Sequence, residues 1–125
     1  MSPITASQSL ALAKKHLACA QSSWNPPEWL ELAACGLYAL EAAAVAAALH
    51  LGYAMKKTHG SKADVVRELA AREGLPDVSS LMHDLNEVRK SEAYGDVASP
   101  PTLDPEDTVR EVEEYVVAVD ALFAE

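Results

Sequence analysis

Apolar residues recur every three or four positions along most of the chain, which is the spacing that one buried face of an α-helix requires. In the first predicted helix, from about residue 5 to residue 22, this stripe consists of Leu10, Ala13, Leu17 and Ala20. No stretch alternates apolar and polar residues with the β-branched enrichment that is typical of strands. The pattern therefore predicts an all-α protein.

The start of the second predicted helix is marked by residues 24–29, which read Trp-Asn-Pro-Pro-Glu-Trp. Asn25 suits the N-cap, and a proline suits the first turn, where its missing amide has no partner to lose. Glu28 would then complete a capping box, and Trp24 and Trp29 would take the two positions of a hydrophobic staple. This geometry favours a structural role for both tryptophans over ligand stacking.

The second predicted helix covers residues 28–51 and ends at Gly52, and between residues 32 and 49 its only charged side chain is Glu41. A carboxylate near the middle of a membrane span costs about 2.5 kcal/mol or more. We therefore expect no membrane span and predict that this alanine-rich helix is the buried centre of a bundle. Its small side chains would let neighbouring helices, or a second subunit, approach closely.

Three shorter predicted helices follow. The third ends at Gly74, and the fourth runs from about residues 77–80 toward Tyr94. Asp104 caps the fifth, with Pro105 in its first turn. The expected architecture is one domain over residues 1–125, an up-and-down bundle of about five helices. The inward face of the last helix consists of Val109, Val112, Val116, Val119 and Phe123.

The net charge of −9 is concentrated at one end of the chain. Residues 96–125 contain nine acidic side chains and one basic side chain, Arg110, whereas residues 1–95 contain ten acidic and nine basic side chains. Binding to nucleic acid regardless of sequence depends on lysine and arginine, so the charge balance disfavours a general DNA coat protein. Local recognition of RNA or a nucleotide remains open.

The sequence contains no common catalytic motif, and its four histidines are scattered without a partner at metal-ligand spacing. We expect no catalytic residue, metal or cofactor. Cys19 and Cys35 are interpreted as small buried side chains with inert thiols. Because there is no basic-then-apolar segment at the N-terminus, we expect a cytoplasmic protein.

Four residues are candidates for ligand binding, each with a structural alternative. Glu41 is costly to bury and either marks a site or pairs with a neighbouring cation. His59 lies in a predicted loop and either contacts a ligand or caps a helix. Arg89 could hold a phosphate or pair with an acid, and Tyr94 could be a site residue or a buried hydroxyl.

The order of several of these segments resembles the HEPN family (higher eukaryotes and prokaryotes nucleotide-binding). The resemblance covers about residues 30–122 and lies in the alanine-rich run at 39–52, the Lys-Thr-His-Gly-Ser turn at 57–61, and Arg89 followed by Tyr-Gly-Asp at 94–96. It implies a helical homodimer, often paired with a nucleotidyltransferase in a toxin–antitoxin system. Active members are metal-independent ribonucleases with an arginine, four to six residues, and then a histidine.

In this chain Tyr94 stands where that histidine would be, and no histidine follows Arg89. Imidazole titrates near neutral pH and tyrosine near pH 10, so the acid–base group is missing, which typically costs about 10²–10⁴ in rate. We therefore expect a HEPN-like homodimer without strong ribonuclease activity, an RNA- or nucleotide-binding accessory or a nucleotidyltransferase partner. Arg89 would contact phosphate, with Tyr94 and Glu41 in the same groove and His59 near its mouth. The alternative is a non-catalytic protein–protein interaction module with an acidic docking helix.

Overall fold

The computed structural model describes residues 4–53, 59–93 and 103–124, with side chains for 4–53, 62–90 and 103–124. Within these residues the chain forms five helices and no strand. The prediction of an all-α helical bundle is confirmed. The helices are α1 (Ala6–Gln21), α2 (Trp29–Leu51), α3 (His59–Glu73), α4 (Ser79–Ala93) and α5 (Pro105–Phe123).

Helix α2 is the centre of the bundle, as its composition predicts, and it contacts each of the other four helices. Its alanines are almost all inaccessible to solvent, and Gly36 is buried against side chains of both α4 and α5. A Cβ atom at Gly36 would lie 3.3 Å from Leu85 Cδ1 and 3.5 Å from Val112 Cγ2. Small side chains on α2 therefore set the distance between the helices.

The long apolar stretch of α2 is accounted for by this burial. Among the described residues, α2 alone is long and apolar enough to cross a membrane, and 72% of its apolar window lies inside the bundle. The expected approach of a second subunit onto its small residues has less support, because Ala33, Ala39, Ala43 and Ala47 are covered by the chain's own helices. Homodimerisation stays a prediction.

Most helix ends follow the predicted signals. Gly52 and Gly74 adopt the left-handed conformation, with φ of 82° and 75°, at the ends of α2 and α3. The Asp104 carboxylate accepts a hydrogen bond of 2.9 Å from the Asp107 amide and caps α5, with Pro105 as its first residue. These interactions depend on local backbone geometry, which is why the sequence predicts them well.

The start of α2 differs from the prediction. The N-cap is Glu28, which makes no capping hydrogen bond with its side chain, and neither tryptophan occupies a staple position. Asn25 and Pro26 each precede a proline, and a residue before proline is disfavoured in the helical conformation. The segment instead forms a turn in which Trp24 pairs with Pro27 and the Glu28 amide donates to the Ser23 carbonyl at 2.8 Å.

Candidate functional site

A surface groove lies between the end of α1, the turn after it, and α5. It encloses about 840 Å³ and has a predominantly apolar floor. Trp24, Val109, Val117 and Ala118 form that floor. Val117 is the most exposed of the large apolar side chains that the structure describes, at 58% of its full surface. Concave apolar surfaces of this size are typical of binding sites.

The rim of this groove, here called the α1–α5 groove, is acidic. Glu106, Glu113 and Glu114 line it together with one cation, Arg110. The Arg110 guanidinium is occupied by its own helix, since it lies 2.7 Å from an Asp107 oxygen and 3.7 Å from a Glu114 oxygen. The groove therefore presents a net negative edge around an apolar centre.

Contacts between α1 and α5 hold the two walls of the groove together. The Gln21 side chain donates a 3.3 Å hydrogen bond to Glu113 at the groove, and Lys14 lies 3.0 Å from Asp120 further along the same pair of helices. Trp24 is partly buried against the hydrophobic core. The position of the turn after α1 thus shapes one side of the groove.

A disulfide between Cys19 and Cys35 joins the last turn of α1 to α2 next to that same turn. The interpretation of these residues as inert thiols is therefore wrong. Their Cα atoms are 5.9 Å apart, which lies in the range that disulfides require, and both side chains are partly exposed. Their separation of 16 residues in sequence gave no sign of this contact, which exists because α1 and α2 pack against each other.

Glu41 is buried, with 5% of its surface exposed, in a smaller groove of about 270 Å³ between α1 and α2. His16 and Tyr38 line the same groove, their rings 5.6 Å apart, and Lys62 of α3 lies at its side. Burial lowers the pKa of His16, and the nearby charge of Lys15 adds to this effect. This groove is therefore small and is lined by both polar and apolar side chains.

Arg89 is half-buried on α4, and it is not among the residues that line the Glu41 groove. Its guanidinium donates a 2.7 Å hydrogen bond from Nη2 to the Asn86 side chain. The Arg89 Nε is buried without an acceptor among the described residues. Asn86 also lines a cleft of about 370 Å³ between α3 and α4, together with Arg67 and His83.

The other two predicted site residues are less fully described. His59 is the first residue of α3 and so does not lie in a loop, because the helix begins within the segment 57–61 that was predicted to form a turn. Its side chain and the whole of Tyr94 lie outside the described residues. The described residues thus do not bring Arg89 into the groove that holds Glu41, and the expected places of Tyr94 and the His59 side chain stay predictions.

Sequence reasoning missed the most prominent residue of the α1–α5 groove. Val117 lies next to the predicted inward stripe of α5, on the side that carries the acidic residues. The available signal was helical spacing, because Glu113, Glu114 and Asp120 lie one turn away from Val117 on the same face. Within the described residues no group of three or more histidine, cysteine, aspartate or glutamate side chains could hold a metal ion.

Comparison with known proteins identifies no relative of this chain. No model of a protein family, no curated protein and no solved structure matches the chain. The HEPN resemblance therefore stays a prediction, and the function must be argued from the grooves themselves.

Proposed function

We propose that this protein is a non-catalytic interaction module that binds a basic amphipathic helix of a partner protein in the α1–α5 groove. The observation that carries the proposal is the combination of an apolar floor, including the exposed Val117, with the glutamate rim. A helix presents apolar side chains at every third or fourth position and polar ones beside them. Such a helix matches both parts of this groove at once.

Each part of the groove makes a different contribution to binding. Apolar side chains entering the groove would bury the exposed surface of Val117, which supplies affinity. Lysine or arginine residues beside them would meet Glu106 and Glu113, which supplies selectivity and a faster, salt-dependent association. An acidic partner would be repelled by the same rim.

The test uses a designed helical peptide with leucines at positions i, i+4 and i+7 and lysines on the flanks, and its affinity is measured by fluorescence anisotropy. The control peptide has glutamate in place of every lysine. We expect the lysine peptide to bind, and Val117→Ser to weaken its binding about tenfold, because one anchor contact in an interface contributes about 1–2 kcal/mol. Raising the salt concentration should weaken binding further.

Leu49→Ser is the matched control variant. Leu49 is an exposed apolar residue on α2 that does not line the α1–α5 groove. Its substitution should leave peptide affinity unchanged. Equal binding of the lysine and glutamate peptides, or equal weakening by Val117→Ser and Leu49→Ser, would contradict the proposal.

We propose as a second candidate the HEPN-type accessory, a homodimer that binds a nucleotide or RNA and works with a nucleotidyltransferase in the cytoplasm. The specific observation in its favour is the buried Nε of Arg89, which has no acceptor among the described residues. A phosphate oxygen could accept from that nitrogen, and the planar guanidinium favours such contacts.

This candidate is tested with AMP, ADP and a single-stranded RNA oligomer as probes, by thermal shift and by filter binding. Arg89→Ala should abolish the response, whereas Arg67→Ala, at the far side of the neighbouring cleft, should reduce it less. Light scattering should give twice the chain mass of 13.3 kDa. A monomer that none of the three probes stabilises would leave the interaction module as the function.

A further inference from the structure

We infer that the Cys19–Cys35 disulfide is a reversible redox modification site that controls the docking competence of the α1–α5 groove. The inference rests on the proposed function, since it concerns the regulation of the same groove. Its first basis is position, because Gln21 and Trp24, which line one side of the groove, both lie within the loop that the disulfide closes.

The second basis is that the described hydrogen bonds of this part of the loop are mostly short-range and join the turn to the adjoining ends of α1 and α2. The Ser23 hydroxyl donates to the Cys19 carbonyl at 2.8 Å, and the Glu28 amide donates to the Ser23 carbonyl at 2.8 Å. The Gln21 side chain reaches α5 through a single 3.3 Å hydrogen bond to Glu113. Covalent closure next to these contacts therefore restricts how far the groove wall can move.

The third basis is the exposure of the disulfide to thiols in solution. Both cysteines are partly exposed, so the disulfide does not lie in the fully buried core. The expected cytoplasmic environment keeps most thiols reduced, and disulfides that form there are usually catalytic or redox-sensing. A disulfide beside a groove, between two partly exposed cysteines, suits a regulatory role better than a purely structural one.

The chemistry is thiol–disulfide exchange with a small dithiol or with glutathione. In the reducing direction a thiolate of the small dithiol attacks one cysteine sulfur, the Cys19–Cys35 bond breaks, and the other cysteine leaves as a thiolate that takes a proton from water. The second thiol of the reductant then attacks the mixed disulfide and releases the first cysteine. The protein gains two electrons and the reductant becomes a cyclic disulfide. Oxidation is the reverse exchange with glutathione disulfide, which yields two molecules of glutathione.

The experiment compares the oxidised chain, the chain reduced with dithiothreitol, and Cys19→Ser/Cys35→Ser. Two readouts are taken from each: amide hydrogen exchange, and affinity for the lysine peptide. Reduction should speed exchange at the Ser23 and Glu28 amides while leaving the Val119 amide of α5 unchanged. Peptide affinity should fall about three- to tenfold, because the groove wall must then be ordered on binding. The double variant should match the reduced chain and should not respond to the reductant.

The outcomes separate this inference from the function on which it rests. Equal peptide affinity in the oxidised and reduced chains, with unchanged exchange, would overturn the redox control and leave docking intact. Faster exchange on reduction with no peptide binding in either state would overturn docking and support the disulfide as a latch on the turn. Two free thiols that persist after incubation with glutathione disulfide would overturn the redox site itself.

Discussion

Replacing Tyr115 by phenylalanine should stabilise this protein, although Tyr115 is one of the most deeply buried residues of the core. Tyr115 lies on α5 with none of its surface exposed. Its hydroxyl is buried without a hydrogen-bond partner among the described residues. The ring thus contributes apolar burial, while the hydroxyl has lost its hydration without replacing it.

The expected change in the free energy of unfolding follows from the cost of burying this hydroxyl without a partner. Leaving a buried polar group unpaired costs about 1–3 kcal/mol, and phenylalanine keeps the ring while removing the oxygen. We therefore expect Tyr115→Phe to raise the free energy of unfolding by about 1 kcal/mol, after allowing for the small space that the oxygen leaves. For a chain of this size that corresponds to a rise in Tm of about 3–5 °C.

The assay is urea unfolding followed by circular dichroism, with the midpoint compared at constant m value. Tyr53→Phe is the matched control, because the Tyr53 hydroxyl donates a 2.9 Å hydrogen bond to Glu73 at the surface. That variant should lose up to about 1 kcal/mol. A loss of 1 kcal/mol or more in Tyr115→Phe would refute the reasoning, because the hydroxyl would then have a partner.

The same tyrosine should also make stability depend on alkaline pH. Burial raises the pKa of Tyr115 above its usual value, and the negative charge of Asp77 adds to this effect. The folded state therefore keeps a proton that the unfolded chain releases above about pH 10. The contribution of this shift to the free energy of unfolding is complete below about pH 10. Above that pH it falls by about 1.4 kcal/mol per pH unit. The free energy of unfolding, measured from pH 9 to 11, should fall with this slope in the unsubstituted chain. In Tyr115→Phe the contribution of Tyr115 to the slope should be absent.

Three further predictions concern the core, a helix cap and a histidine. Gly36→Val should destabilise the protein by about 1–3 kcal/mol, because its side chain would crowd Leu85 and Val112, and urea unfolding against Gly36→Ala tests this. Asp104→Ala should cost about 1 kcal/mol through loss of the α5 cap, whereas Asp104→Asn should retain most of the stability in the same assay. The lowered pKa of His16 means that the folded state binds its proton less readily than the unfolded chain, so stability from this group is lost as pH falls below about 6.5. An NMR titration of His16 that gave a pKa above that value would contradict this sign.

The parts of the fold that the sequence predicted correctly depend on local backbone requirements. Gly52, Gly74 and Asp104 mark helix ends because a left-handed residue or a side-chain acceptor is needed at those positions whatever packs nearby. The burial of α2 was equally predictable, since an apolar helix with small side chains must lie against other helices. Fold class, order of helices and most of the core follow from such rules.

The candidate site was much less predictable, because it depends on which helices become neighbours. Val117 is exposed and Tyr115 fully buried, yet both are apolar-bodied residues on the same turn of α5. Which of the two is buried is decided by the positions of α1 and α2, the helices on which α5 packs. Likewise, the placement of Glu41 in a groove with His16 follows from the packing of α1 on α2, which no local pattern specifies.

The start of α2 was predicted wrongly, and the turn that precedes it also forms one wall of the groove in the proposed function. Local rules predicted a helix N-cap at Asn25, but consecutive prolines prevent the helix from starting there, and the helix begins only at Trp29. The extra length of non-helical chain lets Trp24 reach the floor of the α1–α5 groove, while the disulfide at Cys19 fixes where the turn leaves α1. The proline pair ends the helical signal locally, but where Trp24 then lies depends on tertiary contacts and on the disulfide, which is why the sequence beside it did not predict this wall of the groove.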